Sequence, residues 1–256
     1  MADLAHDDLG SGPALVLLHA YPLDGRLWDD QRHVLSRESR VLVADLRGFG
    51  RSAGLDPAET LEEHAADIAE MLDHLRIDKA FLCGVSMGGY IALAFLERYP
   101  QRVAGLVLAN TRSQADTDEQ RQTRFATADR AEAVGIDAVI QGLPEKMLHA
   151  VTQRECPDIT LRLAGLMNEQ SAAGLAHAQR AMAARPDRTA VLARSGVPGV
   201  VIAGDADPLI AAADTKAMAA AWPGARLVTI PDTAHLSNLE RPAPFNDEVI
   251  RLVTAG

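Results

Sequence analysis

Two cysteines in 256 residues are too few to staple a fold of this size. Cys83 lies in an apolar run and Cys156 in a polar stretch before Pro157, and neither belongs to a CxxC pair or a ligand cluster. That argues against a disulfide framework and against a metal site. Positive charge is also short. Against 35 Asp and Glu stand 25 Lys and Arg, a net charge of −10 with a pI near 5.2, which disfavours nucleic acid and anionic membrane surfaces as partners. No apolar run approaches the ~20 residues of a membrane-crossing helix. The opening MADLAHDD has neither the basic nor the apolar stretch of a signal peptide. The expectation is a reduced, cytoplasmic chain. Assembly into a homo-oligomer is left open.

With 48% hydrophobic residues, the chain can bury one full core, with room for an insertion. It is organised around Gly84-Val85-Ser86-Met87-Gly88-Gly89-Tyr90. The apolar run Ala80-Phe81-Leu82-Cys83 before it reads as a buried strand. After it, Tyr90 to Arg98 has helical spacing, and Pro100 ends the helix. A Gly-x-Ser-x-Gly between strand and helix is the context of a nucleophile elbow, a turn too sharp for side chains at Gly84 and Gly88. The simpler alternative, a Gly/Ser loop matching by chance, does not account for both flanks.

Around this turn, strand and helix alternate. Asp3 to Leu9 predicts a short edge strand, and Ala14–Leu18 a central strand apolar on both faces. A helix from about Gly25 to Ser36 follows, then the strand Val41–Ala44 and the loop Asp45-Leu46-Arg47-Gly48-Phe49-Gly50-Arg51-Ser52. Thr60 to Leu75 carries a helical apolar stripe, and Thr60 with Glu63 makes a capping-box pattern. The elbow unit and the strand Val103–Ala109 complete a run of α/β units, which predicts a mostly parallel sheet with helices on both faces.

The alternation then stops. From Thr111 to Gly196 only amphipathic helices are expected, near 117–134, 136–142, 145–153, 159–168, 171–184 and 187–194. Sheet-type sequence resumes at Val200–Ala203 and Ala225–Ile230, with helices at Ala211–Trp222 and Pro242–Val253. This predicts one core, residues 1–110 and 197–256, carrying an inserted helical cap at 111–196. Charges along the cap are most simply a solvated face.

A lone serine is a poor nucleophile and needs a base and an orienting acid. In an open parallel sheet, functional groups collect at the carboxyl ends of the strands. Ser86 follows the elbow strand, Asp207 follows Val200–Ala203, and His235 follows Leu227–Ile230, in the chain order that accompanies an elbow serine. Of the other histidines, His6, His33, His64, His74, His149 and His177 fall in the tail or on expected helices, and His19 sits in the loop that shapes the oxyanion hole. Asp205 competes with Asp207 on position, and Asp45 is expected to pin its own loop. The oxyanion hole needs two preset N–H groups. Met87, directly after the serine, supplies one, and Tyr21, in the loop after Ala14–Leu18, supplies the other. Tyr21, Trp28, Met87, Phe125, Met147, Leu166 and Met167 are the side chains expected near substrate, although apolar residues at such spacing also build core.

The motifs His19-Ala20-Tyr21-Pro22, Asp45 to Ser52, the Ser86 elbow, Gly204-Asp205-Ala206-Asp207 and Ala234 to Pro242 stand in the order of the α/β-hydrolases, which the chain resembles over nearly its whole length. Within that superfamily it is most similar to the small bacterial branch of carboxylesterases, 3-oxoadipate enol-lactonases and cofactor-free perhydrolases. The resemblance implies an α/β-hydrolase fold and a Ser86–His235–Asp207 triad acting on a small ester or lactone, with no metal or organic cofactor. It also favours Asp207 over Asp205. The chain departs from the pattern at Ala20, where the family usually has glycine, and at its start, where only one leading strand is available.

Three other readings share these residues. An enol-lactonase would hold a carboxylated substrate with Arg112, Arg121 or Arg124. A perhydrolase or haloperoxidase would use the same triad. A non-catalytic binding module would usually have lost a triad member, and none is lost here. Serine at the elbow disfavours epoxide hydrolase and haloalkane dehalogenase chemistry, which uses a carboxylate there.

Overall fold

Strands apolar on both faces must be covered on both faces, and five of them stack side by side in this chain. The computed structural model describes residues 3–255. Its strands are β1 (His6–Leu9), β2 (Ala14–Leu18), β3 (Arg40–Ala44), β4 (Ala80–Val85), β5 (Val103–Ala109), β6 (Gly199–Gly204) and β7 (Ala225–Ile230). They form one sheet in the order β1-β3-β2-β4-β5-β6-β7, parallel except for β1 against β3. β2 and β4 are buried at every residue, whereas the edge strands β1 and β7 are largely accessible. The single leading strand is therefore an antiparallel edge, shorter than the span Asp3 to Leu9.

In chain order the helices are α1 (Asp29–Leu35), α2 (Leu61–His74), α3 (Met87–Arg98), α4 (Asp118–Val134), α5 (Asp137–Ile140), α6 (Leu143–Met147), α7 (Ala150–Glu155), α8 (Pro157–Asn168), α9 (Ala172–Ala184), α10 (Thr189–Ser195), α11 (Ala212–Ala221), α12 (Ser237–Glu240) and α13 (Pro242–Thr254). A 3₁₀ turn, Gly25–Trp28, leads into α1. Crossovers between parallel strands are right-handed. The step from β2 to β3 runs one way along the sheet and those from β3 to β7 run the other. This places α1 on one face and α2, α3 and α11 on the opposite one. α13 packs with α1, and α2 with α3.

Helices α4 to α10 all lie between β5 and β6 in the chain. Where the spacing suggested one helix over 145–153, the chain breaks at Leu148 and His149 into α6 and α7. The expected start of the elbow helix at Tyr90 also moves, to Met87, because Gly88 and Gly89 are helical. No helix among the described residues is long and apolar enough to cross a membrane.

Candidate active site

The turn between β4 and α3 holds Ser86 at φ 53°, ψ −113°, a conformation that a non-glycine residue adopts only when its surroundings enforce it. Three donors lock its carbonyl: Gly89 N–H at 2.9 Å, Tyr90 N–H at 3.2 Å and the Thr111 hydroxyl at 2.9 Å. Its own N–H donates to Ala109 O at 2.9 Å. The glycines permit this closeness. A Cβ at Gly84 would lie 2.3 Å from the Gly88 backbone, and one at Gly88 would lie 2.1 Å from Leu18 O on β2. Strand, turn and helix are pressed together, and Ser86 is pushed up into a cavity of about 560 Å³.

His235 and Tyr21 line the same cavity. His235 Nδ1 lies 3.0 Å from each Asp207 oxygen, with both side chains almost completely buried. Ser86 and the His235–Asp207 pair, expected from strand ends far apart in sequence, are therefore brought to one rim of the sheet. Asp207 Oδ1 also accepts the Leu209 and Ile210 N–H groups at 2.9 and 3.1 Å, and Oδ2 the Asn110 amide at 3.0 Å. Burial alone would raise this carboxyl. The charge and hydrogen bond of His235, with the Asn110 and Leu209 donors, outweigh it and hold the group below its usual range. Asp205 is exposed and accepts only the Thr233 N–H, so it braces the loop that carries the histidine.

Met87 N–H opens α3, where the first amides have no intrahelical acceptor and the helix dipole favours negative charge. The loop after β2 is fixed by His19, fully buried, whose Nε2 accepts Leu46 N–H at 3.1 Å while Nδ1 donates to Ala20 O at 3.1 Å. Ala20 is not among the residues with positive φ, so its methyl group costs the loop nothing where glycine is usual. Asp45 pins two loops, accepting Gly25 N–H at 2.7 Å and Arg51 N–H at 3.0 Å.

Among the residues expected near substrate, Met147 lines the cavity. Tyr21 does as well, whereas Trp28, Met87, Phe125, Leu166 and Met167 do not. Trp28 is fully buried against Phe245, on the face of α1 and α13, and Phe125 is 44% exposed on α4. Of the arginines, Arg112 and Arg124 line the cavity, while Arg121 stays half-exposed beside Asp118. Asp116 gathers Arg112 at 2.5 Å, Arg124 at 2.6 Å and Arg185 at 2.7 Å. Burial raises Asp116, but the hydrogen bonds and charges of Arg185 and Arg124 prevail and bring it to about 2. The Tyr21 phenol, pushed up to about 12 by burial and eased by Gln179 and Arg124, stays protonated.

Two residues of the site were not anticipated. Asn110 directly follows β5, and the rule that strand ends carry function would have found it. Glu240 lies inside the Ala234–Pro242 motif, but nothing local reveals its partners.

A strained serine between a parallel strand and a helix, in a cavity shared with an imidazole backed by a carboxylate, defines the class of protein. A family model described as alpha/beta hydrolase fold matches residues 13–242, and the chain belongs to that family. A thermophilic esterase from Thermogutta terrifontis, solved with malate bound, superposes with a TM-score of 0.95 at 34% identity, over 98% of this chain and 93% of that one. The enol-lactonase from Burkholderia xenovorans LB400 gives a TM-score of 0.90 at 28% identity, over 98% and 96%. Among curated sequences, 3-oxoadipate enol-lactonase 1 of Acinetobacter baylyi is 29% identical over 235 residues, covering 92% of this chain and 86% of its own length.

Proposed function

We propose that the protein hydrolyses a carboxylic ester or lactone by acyl transfer through Ser86. His235 Nε2 takes the Oγ proton as Oγ bonds to the carbonyl carbon. It then protonates the departing alkoxide, and later deprotonates the water that cleaves the acyl-enzyme. Asp207 holds the imidazole tautomer and balances its charge. Met87 and Tyr21 N–H receive the oxyanion, each donor worth ~2.7–4 kcal/mol of barrier. Helices α4 to α10, residues 111–196, act as the cap of a single domain whose core is 1–110 and 197–256, and close the cavity over the serine.

The observation that carries this reading is the His235–Asp207 contact in the cavity into which Ser86 is forced. In the bound complex the serine and imidazole draw together, as catalytic hydrogen bonds tighten with substrate. A fluorophosphonate should label the wild-type protein at Ser86 and leave Ser86→Ala unlabelled. That variant should also lose turnover of a short p-nitrophenyl ester while keeping its circular dichroism and Tm. Substantial turnover by the purified variant would remove Ser86 as nucleophile. Labelling also separates this reading from a non-catalytic ligand-binding module.

One observation favours a narrower substrate. Arg112, Arg124, Arg130 and Lys146 line the cavity against Asp116 and Glu119, so the wall retains positive charge. The protonated Tyr21 hydroxyl stands beside Arg124. Such a wall suits an acyl group ending in a carboxylate, as in an enol-lactonase. A perhydrolase activity would run through the same acyl-enzyme, with peroxide replacing water.

A further inference from the structure

The loop carrying His235 is not held by the sheet alone. His235 N–H donates to Met147 O at 3.1 Å, at the end of α6. The preceding residue, Ala234, donates its N–H to Glu240 Oε1 at 2.6 Å. The other carboxylate oxygen, Glu240 Oε2, turns to the α6–α7 junction and the first turn of α7, accepting His149 N–H at 2.7 Å and the Thr152 hydroxyl at 2.7 Å. Glu240 and Thr152 are 4% and 1% exposed. Both oxygens of a buried carboxylate are thus spent on three donors, which offset part of the cost of burying its charge, although burial still holds the carboxyl above its usual range. Leu143, Lys146 and Met147 of α6 face the cavity, so the helix that forms its wall also holds the histidine's backbone.

We infer that Glu240 is a positioning residue that couples the α6–α7 junction to His235. A substrate that displaces the wall displaces the imidazole with it, and a well-seated wall sets the imidazole against Ser86. Nothing in Glu240 touches the reacting atoms. Its effect runs through the Ala234–His235 backbone, and its catalytic consequence rests on the hydrolase reading above.

Two variants test this. Glu240→Gln swaps one acceptor oxygen for an NH₂ group, so either Ala234 N–H or the α7 donors lose their partner. Thr152→Val removes a single hydroxyl in the helical excursion, without contact with the cavity, and carries the test alone should Glu240→Gln fail to fold. Both should lower kcat for a short p-nitrophenyl ester with KM held within about twofold. Glu240→Gln should cost roughly ten- to a hundredfold and Thr152→Val less, as small misplacements of a catalytic group do. The downfield Nδ1–H proton resonance of His235, which reports its bond to Asp207 independently of turnover, should move in both. Folded variants with wild-type kcat and an unmoved resonance overturn the inference. If wild type is not labelled by fluorophosphonate yet the resonance moves, the hydrolase reading fails and the coupling stands.

Discussion

Asn110 donates its amide to Asp207 Oδ2 at 3.0 Å and to Ala234 O at 2.9 Å, so one side chain touches both Asp207 and the residue before His235. Its own oxygen accepts the Ser237 hydroxyl at 2.6 Å. At φ 47° it occupies the left-handed region, where asparagine is tolerated better than most residues. Asn110→Ala leaves Ala234 O and Ser237 without partners in a buried site and removes one of the donors that orient Asp207. The expected result is a loss of about 1–3 kcal/mol in urea unfolding. A fall in kcat/KM of roughly tenfold or more should accompany it. Unchanged kinetics in a destabilised protein would mean that Asn110 serves the fold alone.

Much of this site was legible because strand ends and one rigid turn determine it. Gly84 and Gly88 announce a backbone approach that no other residue permits, and the apolar strands fix which loops meet at the rim. What could not be read depends on partners distant in sequence. The break at Leu148 and His149 is stabilised by Glu240, some ninety positions on, and helical spacing over 145–153 contains no sign of it. Trp28 illustrates the opposite failure. A large aromatic near the loop after β2 satisfies a substrate-binding pattern, but its helical turn packs it against Phe245, away from the cavity. Arg124 and Phe125 are neighbours on α4, and only the packing of α4 decides that the arginine meets the cavity.

Acid should weaken the fold through two buried imidazoles. Burial, with smaller contributions from the neighbouring His19 and Arg47, lowers His64 from 6.5 to about 3, and burial likewise lowers His19. Folded protein therefore keeps His64 neutral while the unfolded chain takes up its proton. Stability is full above about pH 6.5 and drains as pH falls toward about 3. For His64 alone the loss is about 3 kcal/mol at pH 4. Urea unfolding should show this slope, and His64→Gln should flatten it between about pH 6.5 and 4. A slope that survives in full would assign the acid sensitivity to other groups.

Arg124 offers the sharpest test of the acyl group's charge. It reaches Asp116 with Nε at 2.6 Å and Gln179 with Nη1 at 3.1 Å, and it lines the cavity with about a fifth of its side chain exposed. Asp116 keeps Arg112 and Arg185 when Arg124 is replaced, so Arg124→Gln leaves no buried carboxylate unpaired. The variant should fold and hydrolyse neutral p-nitrophenyl butyrate within about threefold of wild type. For an ester whose acyl chain ends in a carboxylate, such as mono-p-nitrophenyl glutarate, loss of a charge-assisted hydrogen bond worth ~1.5–3 kcal/mol should raise KM roughly ten- to a hundredfold. Equal losses on both esters would show that Arg124 merely shapes the wall. A wild-type preference for the neutral ester would remove the carboxylated substrate from consideration while leaving the Ser86 chemistry intact.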